Sequence, residues 1–320
     1  MKIWILKDVQ QQAFAKEIKE LRESGTLTQD TAKLIKLTPK LDEHQIMRAV
    51  HLELVTDLSS EGFIAALRRF ISRRGLCQDI FNDNGTNFVG ANKILKELTT
   101  KLHTTDAQDK INAYLTSKGI QWHFIPPRAP HVGGLWVAAV KSFKRHLIYV
   151  AGLEMLFTYE QFNTLIIEIE AILNSRPLTP ISSDPNDPIV LTPGHFLIGD
   201  SLTNLRDRNF TNVPTNRLNT WEHIQKVKQD FWKRWKREYL TEIIQRTEWT
   251  KSEPNITVGS VVILKEDNLL PSQWAFGRAI ECLPGDDGVV RTVRVKTANS
   301  SFVRNVKKLA VLPITPIEQE

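Results

Sequence analysis

Apolar positions along the chain follow different rules in its early, middle and late thirds. Residues 2–24 carry Ile5, Val9, Phe14, Ile18 and Leu21 at helical spacing, which predicts an amphipathic lead-in helix. Residues 25–48 are polar and turn-rich, with Pro39 punctuating them. From Ala49 the pattern alternates: AVHLELVTD reads as a strand, and SSEGFIAALRRFISRRG as a helix closed by Gly75. QDIF is a short strand ending at Asn82-Asp83-Asn84-Gly85. Residues 91–102 and 106–118 have helical periodicity, and GIQWHFI (119–125) reads as another strand. The loop PPRAPHVGG leads into a helix over about 135–151, followed by a second over about 158–174 that stops before Asn174-Ser175-Arg176-Pro177.

Beyond it, prolines and aspartates make 177–218 an irregular connector. A long helix is predicted over about 219–240, its stripe of Ile224, Val227, Phe231, Trp235 and Tyr239 most simply read as core. Then TVGSVVILK, WAFGRAIECL, VVRTVRVKT and FVRNVKKLAVL are short β patterns whose spacing suits a small barrel. The resulting division is 1–48 lead-in, 49–176 α/β core, 177–218 connector, 219–313 basic helix plus β domain, and 314–320 tail.

Composition narrows the classes. The 41% hydrophobic and 24% charged residues of this 320-residue chain are ordinary for a globular protein. No apolar run approaches the roughly 20 residues that span a bilayer, so no membrane partner is expected. MKIWILKDVQQQAF has only a brief apolar patch, and no secretory signal is expected there. Cys77 and Cys282 lie far apart, which argues against a disulfide framework and favours an intracellular setting. Without a Cys-x-x-Cys pair or a helical His-x-x-x-His, no structural zinc site is expected. The net charge of +6 raises nucleic acid as a partner, and where the basic residues sit matters more than their sum.

A strand followed by Asp-Asn-Gly-Thr-Asn-Phe, then a strand, a Pro-rich loop and a helix, resembles the catalytic core of retroviral and retrotransposon integrases. RAVHLELVTDLSSEGFIAALRRFISRRG, FNDNGTNFVGAN, PPRAPHVGGLWVAAVKSFKRHL and LNSRPLTPISSDPNDPIVLTPGHFLIG are most similar to the BEL/Pao group of long-terminal-repeat retrotransposons. The tail from about Leu218 to Pro313 resembles that group's C-terminal β domain, and the lead-in resembles the stretch just upstream of its integrase. The resemblance implies an RNase H-like core, a mixed sheet flanked by helices, followed by a small SH3-like barrel. It also implies three carboxylates holding two Mg2+ or Mn2+ ions for in-line displacement at phosphorus.

Asp83 stands where the family places its second acid; a bare Asp-Asn-Gly turn is the bland alternative. The third acid belongs in the frame Gly-Gly-Leu-Trp-Glu-Ala-Ala-Val-Lys, but here Gly133 to Lys141 carries Val137 in its place. Valine offers no lone pair, and magnesium requires hard oxygen ligands, so productive metal binding is not expected and Asp83 alone would hold a cation weakly. Glu154 would lie roughly 25 Å along the helix from Val137 at ~1.5 Å rise per residue. Glu168 falls on the next helix. The first acid and the family's upstream His/Cys module are missing, and both resemblances meet at Arg48, which implies a lost internal segment there. The core would then lack its first two strands, leaving AVHLELV and QDIF without their neighbours unless 44–48 or the N-terminal IWIL fills the gap. Asp57 reads as a helix cap, and Glu53 as an outward-pointing strand residue.

DNA contact is expected from Lys141, Lys144 and Arg145, since 137, 141 and 144 share one helical face, with Asn84, Arg128 and His131 nearby. A solvated helix face is the alternative. Lys226, Lys228, Lys233, Arg234, Lys236 and Arg237 crowd the later helix, and Arg291, Arg294, Lys296, Arg304, Lys307 and Lys308 the β tail. Few exposed aromatics are expected to interleave the charges of the β tail, which argues against sequence-specific single-strand recognition. Three readings compete: an integrase-derived, catalytically dead, non-specific DNA-binding protein; a working polynucleotidyl transferase with a rebuilt or partner-supplied acid cluster, in a homo-oligomer; or a translated relic without a role. The first would act in the nucleus or in a cytoplasmic retroelement particle.

Overall fold

The computed structural model describes residues 2–6, 49–77, 79–82, 86–102, 121–124, 143–150, 157–180, 190–205, 207–245, 256–266, 269–285 and 288–312. They divide into two compact units, the first reaching Arg145 and the second beginning at His146. The architecture is mixed α/β.

In the first unit, strand β1 (Lys2–Leu6) pairs antiparallel with β2 (His51–Val55), in register from Lys2↔Val55 to Leu6↔His51. The helix expected from residue 2 therefore does not start there. A strand edge with unpaired N–H and C=O groups is costly, and IWIL supplies the partner that AVHLELV needs. Helix α1 (Ser60–Arg74) follows, capped by Ser59, whose hydroxyl accepts from the Gly62 amide at 3.0 Å. Asp57 is not itself the cap: its Oδ1 accepts from the Ser59 amide at 2.8 Å and holds the capping hydroxyl in place. Gly75 closes the helix at φ 85°, a conformation that glycine adopts without strain, and donates to the Ile71 carbonyl.

Strand β3 (Asp79–Asn82) and β4 (Gln121–Phe124) run parallel, matched Asp79↔Gln121 through Asn82↔Phe124, with α2 (Thr86–Leu102) between them in sequence. Phe63, Ala66, Leu67 and Phe70 of α1 pack with Val55, Ala91 and the partly buried Ile80 and Trp122. Phe63 meets Phe88 and Trp122 edge-on, at 4.9 and 5.7 Å between ring centroids. The expected helix over 106–118 lies outside the described residues.

In the second unit, α3 (Tyr159–Asn174) opens on a reciprocal cap between Thr158 and Gln161. The described residues of 177–218 carry small elements: β5 (Thr179–Pro180) paired with β6 (Val190–Leu191), the single-turn α4 (His195–Ile198) and a 3-10 turn at Thr215–Arg217. Helix α5 (Thr220–Gln245) begins with the same device, Asn219 and Glu222 exchanging side-chain acceptors. Phe157 against His223, Glu168 against Lys228 and Pro177 against Tyr239 rise together along both chains, so α3 and α5 run in the same direction.

The sheet of this unit is antiparallel, in the order β10 (Ser301–Asn305), β9 (Val290–Lys296), β8 (Ala275–Pro284), β7 (Val261–Leu264), β11 (Leu309–Val311). The run VVIL is apolar without alternation because both faces of β7 are covered. Val262 and Leu264 join Val293 and Val295 on one face, and Val261 and Ile263 meet Leu240 and Ala310 on the other. The strand β8 shifts register between Ala279 and Glu281, which bends the sheet. Gly277 lets β8 approach β9: a Cβ there would lie 2.3 Å from Val295 Cγ1 and 3.0 Å from the Lys296 carbonyl. Gly277→Ala is expected to destabilise the protein by about 1–3 kcal/mol through overpacking. Urea unfolding measures this, and an unchanged midpoint would contradict the close approach. No helix among the described residues is long and apolar enough to cross a membrane.

Candidate nucleic-acid interface

Most of the chemistry expected from the sequence falls on unplaced positions. Asp83, Asn84, Arg128, His131, Val137 and Lys141 all lie outside the described residues. Lys144 and Arg145 are described. They sit on the helical stretch 143–150, whose Phe143, His146 and Leu147 are buried while Lys144, Arg145, Ile148 and Tyr149 face solvent. The helix is amphipathic, and the two expected cations are on its open side.

Three acids weighed in the sequence, Glu53, Asp57 and Glu168, have other duties. Glu53 does not point outward as its strand alternation suggests: it is 4% exposed. Its carboxylate accepts from Arg69 Nε at 2.8 Å and Arg73 Nη1 at 2.9 Å, with His51 Nε2 at 3.2 Å. Burial alone would raise its pKa, but the His51 hydrogen bond and the two arginines outweigh that and hold it below the usual carboxylate range. Asp57 holds the α1 cap. Glu168 accepts from Lys228 at 2.8 Å. No group of three or more His, Cys, Asp or Glu able to hold a metal occurs among the described residues. These carboxylates are committed to other partners among the described residues, while Asp83 and Val137, on which the expected two-metal centre turns, lie outside them.

The basic helix α5 is not the open cationic face its sequence suggests. The Lys228 side chain is 0% exposed and lies between Glu168 and Asp207, 2.8 and 2.5 Å away. Lys236 is buried and donates to the Glu266 carbonyl at 2.6 Å. Lys226 donates to the carbonyls of Phe210 and Thr211, at 3.2 and 2.7 Å. Lys233 and Arg237 are the exposed members of the six cations; Arg234 is half-buried. These positively charged heads bind the segment 207–211, the 265–266 turn and α3. The expected apolar stripe is present, with Ile224, Val227, Phe231 and Trp235 buried.

Basic residues of the β sheet are more open. Arg294 is held by Glu281 at 2.7 Å, while Arg304, Lys307 and Lys308 are exposed along β10 and the turn before β11. The turn brings in a fourth cation that the sequence reading passed over. Lys265 Nζ donates to the Lys307 carbonyl at 2.8 Å, and its backbone amide to the Lys308 carbonyl. Burial first, and then the charge of Lys308, pull the Lys265 pKa down. No described carboxylate pairs with Lys265, Lys307 or Lys308. Lys265 and Lys308 thus repel each other with no carboxylate partner among the described residues, a state that an anion relieves. The signal was available in the two β patterns ending Leu264-Lys265 and beginning Lys307-Lys308-Leu309, had their antiparallel pairing been drawn.

Residues 219–312 match a family of unknown function, DUF5641. No curated protein matches the chain. Among solved structures it is similar to a chain of the cryo-EM structure of a simian T-cell lymphotropic virus intasome in complex with the PP2A regulatory subunit B56 gamma. That similarity has 12% identity and a TM-score of 0.30, covering 83% of this chain and 69% of the other. At such a score the likeness carries no argument.

Proposed function

We propose that this chain is an integrase-derived DNA-holding protein of BEL/Pao retrotransposon origin that no longer cuts or joins strands. The observation that carries DNA holding is the exposed basic run Arg304, Lys307 and Lys308 with Lys265 feeling the charge of Lys308, none of them paired with a carboxylate among the described residues, which a phosphate backbone would neutralise. Lys144 and Arg145 add a second exposed pair. The origin rests on the quoted motifs, and the 219–312 match falls on the stretch that resembles the group's C-terminal β domain. The parallel β3–β4 pair fits an RNase H-like core stripped of its first two strands, and the bent five-stranded sheet fits an SH3-like barrel. Loss of catalysis rests on Val137. Such a protein acts where DNA is, in the nucleus or in its parent element's cytoplasmic particle.

Binding of a labelled duplex, followed by anisotropy, is expected to weaken with salt at a log–log slope of about −3 or steeper, as three or more phosphates shed counterions. Reversing Arg304, Lys307 and Lys308 to Glu flattens the slope by about one per residue, for all sequences alike. Reversing Lys141, Lys144 and Arg145 acts in the same way. No strand transfer is expected with Mg2+ or Mn2+. Absence of binding at low salt would leave a relic without a role. Strand transfer abolished by Asp83→Asn would instead establish a working transferase with a rebuilt or partner-supplied acid cluster.

A further inference from the structure

Tyr149 and Arg234 form a stacked pair that packing alone does not explain. Arg234 of α5 lays its guanidinium over the Tyr149 ring, 3.7 Å from the centroid. The same guanidinium is pinned from its other end, its Nε donating at 3.0 Å to Nδ1 of His146. That bond requires Nδ1 to be unprotonated, so a neutral His146 carries its proton on Nε2. Nε2 lies 3.0 Å from Glu238 Oε2, though not aligned for a hydrogen bond. His146 is 0% exposed and set edge-on against the buried Phe231, so the anchor is rigid. Yet Tyr149 remains 70% exposed. With one face under the guanidinium, the other face of the ring stands in water.

An aromatic residue on the open side of an amphipathic helix is unfavourable to leave solvated, and a cation fixed on its back enriches the site in positive charge. The terminal amino groups of Arg234 have no partner among the described residues. Lys233 and Arg237, spaced i and i+4 on α5 and both exposed, extend the charge beside it. A flat π-face bordered by unpaired guanidinium N–H groups is the chemistry that takes a nucleobase with its phosphate. A paired base inside a duplex cannot reach it, because its faces are already stacked.

We propose that Tyr149, backed by Arg234, is a stacking platform for one unpaired nucleobase, so that the protein prefers DNA with a single-stranded overhang to blunt duplex. This rests on the DNA-holding reading and adds to it a substrate feature and two residues. Sequence patterning missed it because Tyr149 and Arg234 are 85 positions apart and each alone reads as an ordinary helix residue.

The test uses the full chain and two matched duplexes, one blunt and one carrying a four-nucleotide overhang with 2-aminopurine. The overhang is expected to bind about fivefold more tightly or better, the lower end for one base on an aromatic ring. The 2-aminopurine fluorescence should be quenched on binding. Tyr149→Ala is expected to erase both the preference and the quenching while blunt-duplex affinity stays within twofold. Tyr149→Phe keeps both, which separates stacking from a folding defect. Blunt binding with no overhang preference would overturn this inference and leave DNA holding intact. Failure to bind either DNA at low salt would remove both. Displacement of neither DNA but tight, Tyr149-dependent binding of a Glu-rich peptide would reassign the platform to a protein partner and overturn the base-stacking inference.

Discussion

Lys228→Met is expected to lower the stability of the second unit by about 3–5 kcal/mol, the cost of leaving buried charges without their counter-ion. The ammonium sits between Glu168 and Asp207 with no exposed side-chain surface. The two carboxylates are each about one-fifth exposed, and Glu168 Oε2 is buried without a hydrogen-bond partner. Removing the cation leaves two anions facing each other in a medium where repulsion is strong. Methionine conserves the stem's volume, so the loss reports charge and not a cavity. Adding Glu168→Gln and Asp207→Asn should restore most of the stability, because replacing a whole buried charge network is far cheaper than breaking it. Urea unfolding at pH 7 decides the matter. A variant within 0.5 kcal/mol of wild type at pH 7 would remove the triad from the account of this unit's stability.

Lys228 also marks where reading the sequence stops working. The stripe of Ile224, Val227, Phe231 and Trp235 was legible because its spacing records a single helical face. The lysines around it were legible only as charges. Burial of Lys228 and Lys236 depends on acceptors from 168, 207 and 266, and local periodicity contains nothing about residues that far away. Glu53 went the same way: strand alternation put it outward, and two arginines of α1 drew it in. WAFGRAIECL and VVRTVRVKT match β8 and β9 closely, since their runs are bounded by turn residues, whereas TVGSVVILK begins ahead of β7 and FVRNVKKLAVL runs across β10, a helical turn and β11. Strand β1 was visible only as a need, the missing neighbour of AVHLELV, which pointed to IWIL or 44–48 without choosing between them. The catalytic reading rests on chemistry alone, since a valine cannot ligate a metal wherever it sits; Asp83 and Val137 lie outside the described residues.

Arg69→Ala combined with Arg73→Ala is expected to cost about 2–3 kcal/mol at pH 7, less than a fully buried network because both guanidinium groups are about half exposed. What remains is Glu53, side chain 5% exposed, with only His51 to receive its charge. The pH dependence gives the sharper signature. In the wild type the Glu53 pKa is lowered on folding, so its contribution is present above the ordinary glutamate range. It is lost as pH falls through that range towards the depressed folded value, since the unfolded chain takes the proton first. In the double variant, burial is no longer outweighed by the arginines, and the folded state becomes the better proton acceptor. Its stability relative to wild type should therefore recover as pH drops from 7 towards 4, as protonation relieves the stranded carboxylate. Glu53→Gln in the same double-variant background should remove that recovery while leaving the strand in place. Parallel stability curves for wild type and double variant across this window would mean that Glu53 is not held by Arg69 and Arg73 in solution. The anchor between β2 and α1 would then have to come from the Phe63–Phe70 face alone.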